Sequence, residues 1–170
     1  MSTTRLRAAE HDLRLILDSV PGLVSELTPT GEIEFANRPL LDYLGVSLEH
    51  LHDWPPFIHE SDRSMVVERW KQSVETGQPF ATDYRLRRSD GVYRWCHGQA
   101  VAVRAQDGSI VWWCNLVTDI EERKQAEDER RSAELHAILD NIPALISIHG
   151  ASGQLELYNR AARSLARQWT

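Results

Sequence analysis

Apolar side chains in the first twenty residues recur with the period of a helix. Leu6, Ala9, Leu13, Ile16, Leu17 and Val20 form one stripe, stopped by Pro21-Gly22. The pattern then shortens into "LVSELT" and "EIEFAN", two strands joined by "PTG", with Gly31 in the turn of the hairpin. "RPLLDYLG" and "SLEHLHD" predict short helices, the second with Ser47 as its cap. "SDRSMVVERWKQSVETG" predicts a longer one: Val66, Trp70 and Val74 share a face, Ser61 or Asp62 can cap it, and Gly77 before Pro79 ends it. Three more strands follow, "FATDYRLRR", "VYRWCHGQAVAVR" and "SIVWWCNLVTD", with "SDG" and "AQDG" as hairpin turns. The sequence predicts an α+β fold: a five-stranded antiparallel sheet with helices on one face, flanked by an N-terminal helix and a C-terminal linker helix.

The last strand raises a question of its own. "VWWCNLVTDIEERKQAEDERR" runs from an apolar strand into a charged helix with no turn residue between them. Asp119 can cap that helix, with Glu122 completing a capping box. A strand that enters a helix without a loop passes its displacement on, where a flexible loop would absorb it. Asp119 with Arg123, and Glu127 with Arg131, stand at the spacing of helical ion pairs. The helix over 120–140 is otherwise polar, with Ala126 and Ala133 on a thin seam. It reads as a solvated spacer or as a helix that pairs weakly with a partner helix.

A repeat favours a signalling linker. "ILDSVPGLVSELTPTGEIEFANR" (16–38) returns as "ILDNIPALISIHGASGQLELYNR" (138–160), shifted by 122 without a gap. Ten of 23 positions are identical, among them Asp18, Pro21, Gly31, Asn37 and Arg38. The chain divides into an N-terminal amphipathic helix (1–20), one complete module (21–119), the linker helix (120–140) and the opening of a second module (141–170), and it reads as a fragment. The hairpin 145–159 lacks the strands that would complete its sheet, so it should fray or borrow an edge.

Composition narrows the function. A net charge of −6 without a basic stripe argues against nucleic-acid and anionic-membrane binding. No stretch approaches membrane-spanning length, so no direct membrane contact and a cytoplasmic location are expected. The two cysteines, Cys96 and Cys114, make neither a disulfide framework nor a metal pair, and His50, His52 and His59 read as surface histidines. No phosphate loop, nucleophile elbow or zinc-protease motif is present, so no catalytic residue is assigned to this chain.

The order of elements and several motifs resemble a PAS domain of the subfamily common in bacterial sensors. The residues are Gly31-Glu32-Ile33, Asn37, Leu44-Gly45-Val46-Ser47, His59-Glu60-Ser61-Asp62-Arg63, the run from Tyr84 to Trp95, and Trp113 with Thr118-Asp119-Ile120 and Arg123-Lys124. Glu60 and Ser61 depart from the family's usual Pro-Asp, and Glu121 from its usual Thr. The resemblance implies a cytoplasmic sensory module of a multi-domain signalling protein, a sensor histidine kinase first and a diguanylate cyclase second. It implies a relay through Thr118, Asp119, Ile120 and Glu122 into a downstream PAS domain and an output domain in the same chain. A homodimer through the N-terminal helix, the outer sheet face and the linker helix is expected with it.

Alternation separates Cys96, Gly98 and Ala100 from Trp95, His97, Gln99, Val101 and Val103 without saying which set faces inward. By the resemblance, Cys96, Gly98 and Ala100 face inward with Tyr84, Leu86, Trp113, Asn115 and Val117, while Trp54, Phe57 and Trp70 close the site from the helical side. These residues either shape a pocket for a small molecule or simply fill the core, leaving a ligand-free interaction module. The cofactor is unassigned. Residues 62–76 hold no histidine for haem, and neither cysteine stands in the Asn-Cys-Arg stretch of flavin-adduct relatives, which argues against both groups.

Overall fold

The computed structural model describes residues 14–142, 144, 147–149, 151–152, 154–160 and 162. The chain forms two compact units, divided between Glu121 and Glu122. Of the helix expected over the first twenty residues, 14–19 are helical, and 1–13 lie outside the described residues.

In the first unit the hairpin β1 (Leu23–Leu27) and β2 (Ile33–Ala36) leads into α1 (Arg38–Leu44), α2 (Leu48–Leu51), a 3-10 turn (Pro55–Phe57) and α3 (Glu60–Thr76). Strands β3 (Phe80–Arg87), β4 (Tyr93–Arg104) and β5 (Ile110–Asp119) follow. The sheet order is β2-β1-β5-β4-β3, antiparallel throughout. The first and last strands are thus neighbours, with Ser25 opposite Asn115 and Glu26 opposite Cys114.

The helices end where the sequence punctuates them, but two caps differ from expectation. His59 caps α3 in place of Ser61 or Asp62, its Nδ1 accepting from Ser61 N at 3.3 Å. Asp62 is occupied by Arg85, which donates to it from Nε and Nη2, both at 2.8 Å, and from its backbone N at 3.0 Å. Ser47 holds the N-cap position of α2, yet its hydroxyl meets His50 Nδ1 at 2.8 Å. Gly45 and Gly77 close α1 and α3 at φ 69°, a left-handed conformation that favours glycine.

The sheet buries one face. Phe80, Thr82, Tyr84 and Leu86 of β3, Cys96 and Ala100 of β4, and Trp113 and Val117 of β5 lie inside, under Leu40, Leu44, Leu51, Phe57 and Val66. Each large apolar side chain so buried contributes roughly 1.5–3 kcal/mol. Trp113 is wholly inaccessible and meets Trp70 edge to face at 5.2 Å, and Trp70 meets Phe80 in the same manner at 5.8 Å. On the other face Val101 is 51% exposed, while Trp112, Cys114 and Leu116 are half-buried. Leu116 lies close under Gly22, where a Cβ would come within 2.7 Å of its Cδ1. The Arg85 guanidinium lies 5.3 Å from the Trp95 ring centroid.

Helix α4 (Glu121–Asp140) follows β5, and the hairpin β6 (Ser147–His149) and β7 (Leu155–Tyr158) forms a two-stranded antiparallel sheet. No described residue of α4 is buried. An ion pair along it joins Arg123 to Glu127 at 3.0 Å, in place of Asp119 with Arg123, because the Asp119 carboxylate is engaged elsewhere. Among the described residues no helix is long and apolar enough to cross a membrane.

Candidate functional site

A cavity of about 80 Å³ lies between the helices and the buried face of the sheet. Seven of the residues singled out in the sequence line it: Trp54, Phe57, Trp70, Tyr84, Leu86, Asn115 and Val117. The other four are buried on the same face without lining it. Small residues on β4 were expected to leave room for a ligand, but Tyr84 takes that room. A Cβ on Gly98 would stand 2.7 Å from Tyr84 Cε1 and 2.8 Å from its hydroxyl oxygen, so the ring lies against the bare backbone. Ala100 is buried between its cross-strand neighbours Phe80 and Asn115. Trp113 is committed to Trp70.

Cys96 sits beneath α1, 3.7 Å from the Tyr43 hydroxyl, and burial pushes its thiol up to about 11. A thiol held there stays protonated at neutral pH and is a poor nucleophile.

The cavity wall is largely aliphatic and aromatic, with none of its lining residues charged. Its polar groups come from three strands. Asn115 Nδ2 on β5 donates to Ser25 Oγ on β1 at 3.0 Å. Tyr84 on β3 is 6% exposed, and among the described residues its hydroxyl has no hydrogen-bond partner. Burial drives the pKa of that hydroxyl well above its ordinary value, so it remains a neutral donor. Sequence reasoning missed Ser25. The alternation of β1 puts it on the inward face with Leu23 and Leu27, a signal visible only once the buried face is known.

The second feature is the joint between β5 and α4. Asp119, the last residue of β5, is held by Arg94, which donates from Nε to Oδ2 at 2.6 Å and from Nη2 to Oδ1 at 3.3 Å. Tyr43 of α1 donates its hydroxyl to Oδ2 at 3.1 Å, and the Glu121 backbone N donates to Oδ1 at 3.0 Å. Burial alone would raise the pKa of Asp119. The hydrogen bonds from Arg94, Glu121 N and Tyr43 outweigh it and hold the carboxyl below its ordinary value.

Only Ile120 separates strand from helix. It is buried, and its N donates to Trp95 O at 2.8 Å. The expected capping box is replaced. The glutamate that turns back is Glu121, whose Oε2 accepts from Trp95 N at 2.7 Å, tying the helix to β4. Of the four relay residues read from the sequence, Asp119 and Ile120 are built into the joint, while Thr118 and Glu122 are exposed. Tyr43 and Arg94 were missed because they lie 76 and 25 positions from Asp119, beyond any local pattern. Helix α1 touches both features, with Leu40 and Leu44 on the cavity and Tyr43 on the joint.

Residues 33–115 match the family model described as PAS fold. The chain is 32% identical over 109 residues to protein y4lL of Sinorhizobium fredii, covering 63% of this chain and 13% of that protein. It is 32% identical over 145 residues to the peroxide stress-activated histidine kinase mak1 of Schizosaccharomyces pombe, covering 84% of this chain and 9% of that protein. The chain therefore spans only a small part of the length of the relatives it matches. Among solved structures, the N-terminal domain of a diguanylate cyclase with a PAS/PAC sensor from Marinobacter aquaeolei superposes with a TM-score of 0.54 at 22% identity, covering 61% of this chain and 98% of that one. With its five-stranded antiparallel sheet, its helical face and the family match over residues 33–115, the first unit of this chain is a PAS domain.

Proposed function

We propose that the PAS domain is a sensory module of a larger cytoplasmic signalling protein, a sensor histidine kinase. A small molecule in the cavity biases the sheet, and β5 passes that bias through Asp119 and Ile120 into α4 and on to a second PAS domain and an output domain. The observation that carries this reading is the joint: Asp119 is gripped by Arg94 and Tyr43 with a single residue between it and the helix. The grip shares a helix with two cavity-lining leucines, which supplies a route from occupancy to output. The relative mak1, a histidine kinase, supports the choice of output. Its 145-residue match is also longer than the first unit, so it reaches into the second.

The test is Arg94→Ala in the full-length protein. Autophosphorylation should lose its dependence on the PAS domain while the isolated domain stays folded. An unaltered, still regulated kinase would refute the relay.

A second reading, a ligand-free module that holds two parent chains together, draws on the sheet's other face. Val101 is exposed there beside half-buried Trp112 and Val103. In that case Val101→Glu, which introduces a charge on that face, dissociates the dimer and abolishes output, whereas filling the cavity changes nothing. A diguanylate cyclase output draws on the Marinobacter aquaeolei neighbour, and the full-length protein would then make a cyclic dinucleotide instead of a phosphohistidine.

A further inference from the structure

The wall of the cavity narrows what could occupy it. We infer that the ligand of this PAS domain is a small uncharged molecule, smaller than benzene, with an apolar body and one hydrogen-bonding end. The inference rests on the sensory reading and specifies its ligand.

Size comes first. The cavity holds about 80 Å³, roughly half of the ~150 Å³ apolar cavity that accommodates benzene. A tricyclic flavin ring or a porphyrin does not fit without rebuilding the core, since Trp113, Trp70 and Phe80 are locked edge to face behind it.

Charge comes second. No lining residue is ionisable to a charged form at neutral pH: the sole titrating side chain is Tyr84, which burial keeps protonated. A carboxylate, phosphate or ammonium entering this wall would shed its water without meeting a counter-charge, which is strongly unfavourable. A neutral group escapes that penalty.

Polarity comes third. Tyr84 is more than nine-tenths buried, and its hydroxyl has a proton to donate and no protein acceptor among the described residues. The Asn115 amide spends one donor on Ser25 Oγ, which leaves its carbonyl oxygen free to accept and the Ser25 hydroxyl proton free to donate. A buried polar group without a partner is an unmet cost that a ligand can remove. A carboxamide, a ketone or an alcohol satisfies such groups with one end while its hydrocarbon part lies against Leu40, Leu44 and Val66. Gly98 belongs to the same arrangement, because only a residue without a Cβ lets the Tyr84 ring lie back against β4 and keeps the cavity open.

The test compares propionamide with propionate, a neutral and an anionic molecule of matched shape, in a titration of the whole chain. The indole N–H signals of Trp54 and Trp70, which line the cavity, are followed by NMR. The amide should shift both signals saturably and the carboxylate should not. Tyr84→Phe should weaken the amide about five-fold, as loss of one hydrogen bond does, and Val66→Phe should abolish the shifts. Equal binding of propionate, or native mass spectrometry showing a charged or flavin-sized molecule retained by the chain, overturns this inference and leaves the sensory reading standing. The sensory reading itself fails separately, if Val66→Phe in the full-length protein leaves its output unchanged.

Discussion

Each unit carries the same fastening between the helix that enters it and its first hairpin. In the first, Asn37 is inaccessible to solvent and uses both ends of its amide. Nδ2 donates to Leu17 O and Gly22 O, both at 2.9 Å, while Oδ1 accepts from Val24 N at 2.9 Å and Leu40 N at 3.2 Å. In the second, Asn159 is 1% exposed, donates to Leu139 O at 3.2 Å and Ala144 O at 2.7 Å, and accepts from Ala162 N at 3.1 Å. Asp18 accepts from Arg38 N at 2.7 Å, and Asp140 accepts from Arg160 N in the same way.

The physics is that of helix ends. A helix leaves its last carbonyls unpaired, and the asparagine amide satisfies one of them while ordering the start of the next helix. What differs is the backing. The first hairpin is one edge of a five-stranded sheet with a core, whereas among the described residues the second pairs only with itself. The fastening is therefore a local device that forms without the completed sheet, and the cooperative stability of the fold has to come from elsewhere.

Substituting the two asparagines separates these contributions. Asn37→Ala strands several buried polar groups and should cost about 3 kcal/mol or more, read as a lower midpoint of cooperative unfolding. Asn159→Ala should leave that midpoint unchanged and appear only as faster hydrogen exchange at Ala162 N. Equal shifts of the main transition would mean that the two units unfold as one. Gly98→Ala sharpens the contrast by striking the part that only the first unit has. A methyl group 2.7 Å from the Tyr84 ring forces the ring aside and should cost about 1–3 kcal/mol in chemical denaturation.

The joint gives a pH-dependent effect of its own. The Asp119 carboxyl is held below its ordinary value, so the stability it contributes is complete above the unfolded value of about 3.9 and is lost as pH falls through the lower folded value. Exchange of the Glu121 amide should stay slow down to that point and accelerate below it. Arg94→Ala removes the strongest of the interactions that lower this pKa, and the onset should then move to higher pH. An onset that ignores Arg94 would mean that another group sets the carboxyl. Least consequential should be Arg123→Ala. Its exposed pair with Glu127 is worth no more than ~0.5 kcal/mol, so unfolding should not change measurably.

Much of this was legible in the chain because its signals are local. All five strands of the sheet, their hairpin turns and the long helix follow from alternation, from Gly31, Gly77, Gly91 and Gly108, and from the helical spacing of Val66, Trp70 and Val74. The seven candidates that line the cavity come from both of its sides: Trp54, Phe57 and Trp70 from the helical side, and Tyr84, Leu86, Asn115 and Val117 from the sheet. Of the four that do not line it, Cys96, Gly98 and Ala100 are the small residues of β4, and Trp113 is a large ring packed on Trp70. A gap in the sequence pattern at Gly98 says that something must fit there, but not whether it is a ligand or, as here, a tyrosine from the next strand. The joint was half legible. Asp119 announced a strand running into a helix, but its partners come from α1 and β4, and only the folded sheet brings them together. The relation of the outer face to a partner chain is of the same non-local kind and rests on the dissociation test above.

The single residue Ile120 also sets an angular phase. Its backbone N donates to Trp95 O at the root of α4, and from there the phase of the helix depends on residue count. Each residue inserted after it would turn all later side chains by about 100° and advance them by about 1.5 Å. One or two added residues would swing the Ala126 and Ala133 seam to another side, whereas seven would return it almost to its starting direction. Along this helix, residue count acts as a dial, and natural length variation should move in steps that bring the dial back round.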